Sequence, residues 1–268
     1  MPKSEQLGTT VSLVILGLAL SILATLPSRE FTFVVLGSEL TLRLLGSTQL
    51  AIVMVGLVCT GVDTIVRSHP STQGRTLAYT ITFWVLPSLV VLTGLVFLGR
   101  ISWWGYRVIL IALTGVTLSV VIILEYRSSA NTHQVLRPAR LALNILVYIA
   151  ALLLFITLYE ARLRSVISAS AIALASHMLA LDLFRDARTR TVRIWLYAGL
   201  TGLAMGQLTW ALNYCSISAR LGGALQLLVF YVLTGVMQQS LGDRLTRRAI
   251  GEYAVIMCMG LVLLLWLL

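Results

Sequence analysis

The chain has 268 residues, 58% of them hydrophobic and only 11% charged, with a formal net charge of +10 and a mean hydropathy of +0.93. A soluble domain of this size carries roughly 25% charged residues, so lipid rather than water is the solvent for most of it. The positive charge does not point to nucleic acid, because the arginines are spread through the loops between apolar runs and form no continuous basic face.

In lipid every backbone N–H and C=O must be paired within the structure, which leaves helices or closed barrels. The apolar runs are long and lack the roughly ten-residue alternation of barrel strands. The expected fold is therefore all-α, a polytopic bundle of about nine transmembrane helices forming one integral membrane domain over residues 1–268. The segments are 8–26, 49–66, 77–98, 104–124, 141–159, 165–184, 194–214, 221–239 and 250–267. The first lacks a small-x-small cleavage site and is expected to remain as a helix. Basic residues set the orientation. Alternate loops hold Lys3; Arg67 and Arg75; Arg127, Arg137 and Arg140; Arg185, Arg188, Arg190 and Arg193; and Arg244, Arg247 and Arg248. Loops rich in arginine stay cytoplasmic, which predicts the N-terminus inside and the C-terminus outside, in a bacterial-type inner membrane. All 20 basic residues except Lys3 are arginine, a composition suited to bidentate contact with lipid phosphates.

Residues 30–45, between the first two helices, read as a small extracytoplasmic β-hairpin. Two alternating runs flank Gly37-Ser38, a pair suited to a two-residue type II′ turn. Pairing outward sets Val35 opposite Leu40, Phe33 opposite Leu42 and Phe31 opposite Leu44, giving one apolar face. Further along, Pro87 interrupts the third segment and predicts a kink. Trp103, Trp104, Trp195, Trp210 and Trp266 lie near segment ends, as interfacial aromatic belts do. Cys59, Cys215 and Cys258 are far apart and form no metal or redox motif; they read as small packing residues.

The seventh segment carries Ala198, Gly202 and Gly206 at four-residue spacing, a stripe that lets another helix approach closely where no hydrophobic force acts between helices. The sixth has a similar stripe, Ser165, Ala169 and Ala173, continuing to His177. Both are expected inside the bundle, with a homodimer or a membrane-protein partner as the alternative use.

Ionisable residues within a bilayer are functional candidates. Most of the ten acids have an arginine at helical spacing, among them Asp63 with Arg67, Asp182 with Arg185, Asp186 with Arg190, and Glu252 with Arg248. Such pairs at segment ends read as interfacial salt bridges. His177 is the deepest titratable group and the candidate intramembrane polar site, with Asn144, Gln207 and Gln226 as neighbours from other helices. His69 and His133 fall in loops, so no metal set forms around it. No phosphate-binding loop, zinc motif, paired DxxD or nucleophile motif is present. No catalytic residue, cofactor or metal is therefore expected. The leading reading is a non-catalytic membrane subunit or scaffold that assembles through helix packing. A transporter or binder of a small apolar or lipid-like solute, with a cavity near His177 and Pro87, is the alternative, and a lipid-modifying enzyme the third. Expected partners are membrane lipids and not nucleic acid.

Overall fold

A computed structural model describes residues 4–23, 29–35, 38–44, 46–68, 80–128, 133–161, 165–185, 191–215 and 217–266. Among them are nine helices, α1 (Ser4–Leu23), α2 (Gly46–Arg67), α3 (Thr82–Arg100), α4 (Trp104–Ser128), α5 (His133–Glu160), α6 (Ser165–Phe184), α7 (Thr191–Leu212), α8 (Ala219–Leu241) and α9 (Arg247–Trp266), and two strands, β1 (Arg29–Val35) and β2 (Ser38–Leu44). All but α7 and α9 are long and apolar enough to cross a membrane, and the chain is a multi-pass membrane protein. The other two are as long, 22 and 20 residues, but α9 opens on Arg247, Arg248 and Glu252, and α7 is diluted by glycine and threonine.

The strands pair antiparallel, Phe31 opposite Leu42 and Phe33 opposite Leu40. This register differs by two residues from the expected one. Val35 pairs with Ser38 instead of Leu40, and the expected turn at Gly37-Ser38 includes residue 37, which lies outside the described residues.

The chain divides into two compact units, Met1–Arg75 with Pro87–Arg140, and Thr76–Leu86 with Leu141–Leu268. Pro87 stands inside α3 and marks where that helix passes from one unit to the other. Pro138 lies inside α5, which begins at His133 rather than at the apolar segment starting at 141.

In the first unit small residues mark the helix contacts. Gly61 of α2 faces Thr10 of α1, Gly115 of α4 faces Ile15, and Gly94 of α3 faces Thr114 of α4. Val14, Val58, Val62 and Leu118 are fully buried there. Hydroxyls in these helices mostly donate to carbonyls one turn back, as Thr10 does to Gln6, Thr60 to Gly56 and Thr114 to Leu110, which satisfies them without water.

The second unit holds α5 from Leu141 onward and α6 to α9. Side chains tie its helices together at both ends. At one end the Tyr159 hydroxyl donates to the Leu212 carbonyl at 2.9 Å, and Asn213 Nδ2 donates to Ser168 Oγ at 2.8 Å. At the other, Gln238 Nε2 donates to the Leu183 carbonyl at 3.0 Å, and the Tyr197 and Ser240 hydroxyls lie 3.2 Å apart. The last of these helix ends closes with a Schellman motif: Arg244 N–H reaches the Gln239 carbonyl, and Asp243 N–H the Ser240 carbonyl.

Candidate functional site

The two small-residue stripes meet each other. A β-carbon added to Gly202 would lie 2.6 Å from the Ala173 carbonyl oxygen and 2.9 Å from His177 Cβ. One added to Gly206 would lie 2.9 Å from Ala173 Cβ and 3.2 Å from the Ala169 carbonyl. Ala198 is fully buried in the same helix. With backbones this close, dispersion supplies the packing that water exclusion cannot supply in lipid.

His177 belongs to this contact. Its ring lies 5.6 Å from that of Trp195, tilted by 55°, and the nearest atom to a Cβ on Gly199 is its Nδ1, at 4.0 Å. That Nδ1 is buried, with no hydrogen-bond partner among the described residues. The neighbours of His177 are thus on the glycine face of α7. Gln207 lies five residues beyond Gly202, about 140° round the helix, and is exposed. Asn144 is half-buried on α5. Gln226 is fully buried on α8, with neither amide atom hydrogen-bonded among the described residues. Trp195, expected in an interfacial belt, packs on His177. Trp103, Trp104, Trp210 and Trp266 are exposed.

Of the acid–arginine pairs, three form ion pairs among the described residues. Asp63 and Arg67 lie 2.6 Å apart, and Arg248 and Glu252 3.5 Å apart with both side chains exposed. Asp182 and Arg185, 3.1 Å apart, differ in being enclosed by protein, with side chains 2% and 3% exposed. The Arg185 guanidinium carbon sits 3.8 Å from the centre of the Phe83 ring, a cation–π contact that shields the charge at the end of α6. Glu125 of α4 is also fully buried. Its sequence neighbourhood does not single it out, because no arginine stands three or four residues away. Among the described residues no cluster of three or more His, Cys, Asp or Glu could hold a metal ion.

The second unit contains a cavity whose lining does not include His177. It is a groove of about 450 Å³ between α5, α8 and α9, lined by Tyr148, Ala224, Leu227, Leu228, Tyr231, Gly260, Leu263 and Leu264. Gly260 packs on Leu228, which brings α8 and α9 together along one wall. The Tyr148 hydroxyl lies 3.1 Å from Thr234 Oγ1, which itself donates to the Phe230 carbonyl, so Tyr148 is the donor. Its ring stacks obliquely with Tyr231, 5.5 Å between centres, and edge-on with Phe230, 6.2 Å away. The hydroxyl is thereby turned into the protein and the aromatic carbon toward the groove. The volume falls in the range of small-molecule sites, roughly 300–1,000 Å³. No sequence signal marks it: Tyr148, Tyr231 and Leu263 come from three helices and share no motif.

A family model described as "Protein of unknown function (DUF5656)" matches residues 26–267. No curated protein and no solved structure matches the chain.

Proposed function

From a chain that belongs to this family of unknown function, we propose, on its own geometry, a membrane protein that binds an apolar, lipid-like solute from within the bilayer. The groove between α5, α8 and α9 carries the reading. It is open along one side, walled by aliphatic and aromatic carbon, and large enough for a chain-like ligand. Native mass spectrometry in mild detergent tests it. About one apolar adduct per chain is expected, lost in Ala224→Phe, which fills the groove from α8. Identical adduct spectra for both proteins would overturn the reading.

A second reading, a non-catalytic subunit or scaffold, is favoured by α9. One wall of α9 packs on α8, while Val255, Met259, Val262 and Trp266 form an exposed row along it. The stripes of α6 and α7 do not serve this reading, since they occupy each other. Co-purification of a stoichiometric partner, abolished by Met259→Lys, is its test.

In either case the orientation we propose has the N-terminus in the cytoplasm, nine crossings, the strand pair and the C-terminus outside, and the cytoplasmic-type membrane as the location. The arginine-rich loops on alternate sides support it. Cys215 is exposed between α7 and α8, on the outer side in this arrangement. A membrane-impermeant maleimide is expected to label it in intact cells or spheroplasts; labelling only after lysis reverses the orientation.

A further inference from the structure

Resting on the groove reading above, we infer that the occupant is an anionic phospholipid, with an acyl chain in the groove and its phosphate on Arg220. The groove residues of α8, Ala224, Leu228 and Tyr231, fall on one face of the helix, and Arg220 continues that face one turn earlier: at about 100° per residue, Ala224 and Tyr231 lie within about 40° of it. From Arg220 to Tyr231 the helix rises roughly 16 Å, about half of the roughly 30 Å hydrocarbon thickness. The stripe therefore spans one leaflet, with its charge at the headgroup level and its apolar part below.

Arg220 is exposed and has no ion-pair partner among the described residues. It stands in the first turn of α8, which contains no acid. A cation at a helix N-terminus is disfavoured by the helix dipole, and an anionic headgroup offsets both charges together. The walls make the same point by default. An acyl chain gains no hydrophobic free energy on moving from lipid into an apolar groove. Shape and the headgroup contact must therefore select the occupant, and Arg220 is the group placed to do so.

The test uses the full chain, delipidated in mild detergent and titrated with phosphatidylglycerol or phosphatidylcholine, with bound lipid counted by native mass spectrometry. Wild type is expected to retain phosphatidylglycerol roughly fivefold better, the effect of one cation near an anionic headgroup. Arg220→Gln should lose that preference while still binding both lipids. Ala224→Phe should lose both, as should Leu263→Trp, which fills the groove from the α9 wall. Leu203→Phe, on an exposed face of α7, should behave as wild type. An unchanged preference in Arg220→Gln overturns the headgroup assignment and leaves the groove standing. Unchanged retention in both groove-filling variants marks the bound lipid as general annular lipid and removes the groove reading itself.

Discussion

Gly202 lies so close to Ala173 that a β-carbon on it would come within 2.6 Å of the Ala173 carbonyl oxygen, whereas one on Gly199, a turn away, would meet nothing nearer than His177 Nδ1 at 4.0 Å. The two glycines sit in the same helix and differ only in what faces them. Gly202→Ala forces backbone against side chain and is expected to cost about 1–3 kcal/mol. Gly199→Ala is expected to be neutral or slightly stabilising, since alanine is the better helix former. Thermal melting of the two variants in one detergent reads the difference directly; equal melting temperatures would contradict the close approach.

The Asp182–Arg185 pair is enclosed, so removing one partner strands the other charge without solvent. Asp182→Ala is expected to cost about 3–5 kcal/mol, and the double variant Asp182→Leu, Arg185→Met distinctly less, because no buried charge remains. Arg248→Ala, at an exposed pair, should leave the melting temperature within error. The comparison of double with single variant in a chemical or thermal unfolding series is the measurement.

His177 contributes a ring to the Trp195 contact. His177→Phe keeps a ring of similar size there and is expected to melt near wild type, whereas His177→Ala opens a gap beside Trp195 and costs on the order of 1–2 kcal/mol. The groove is not lined by His177, so the phenylalanine variant is also expected to keep the wild-type adduct spectrum. Melting curves of the two variants, with adduct spectra beside them, are the measurement, and loss of the adduct in His177→Phe would contradict this separation of ring contact and groove.

At the α8–α9 turn the left-handed position is filled by Asp243, φ 51°, while Gly242 just before it sits at φ −87°. In a Schellman motif the residue with positive φ is usually glycine. Asp243→Gly is expected to stabilise by about 0.5–1 kcal/mol, through the lost Cβ penalty, and Asp243→Val to destabilise. Melting temperatures of the two variants should move in opposite directions.

The helices were legible because hydropathy reports the solvent around a segment. The sixth segment, 165–184, coincides with α6, and the fourth begins, as α4 does, at Trp104. Hydropathy fails where a helix leaves the hydrocarbon. Residues 133–140, with Arg137, Pro138 and Arg140, read as loop but continue α5 toward its N-terminus, since helical geometry does not require an apolar surface. The stripes were legible for a second reason: small residues at four-residue spacing leave one face with no side chains to keep another helix away. The polar site was less so. Gln207 shares a helix with Gly202 but not its face, and Gln226 is buried without any local pattern to announce it, because burial depends on which neighbour arrives. The groove is the extreme case, formed by residues from three helices whose proximity no single stretch encodes.

The meeting of Ala169 and Ala173 with Gly202 and Gly206 also constrains how the family can drift. Homologous chains should admit only glycine, alanine or serine at these four positions. Where one lineage has acquired a bulkier residue, the facing position should have shrunk in the same branch. Gln207 and Leu203, directed away from that seam, should vary freely, so an alternation of frozen and drifting sites along a single helix would be the ancestral record of the contact.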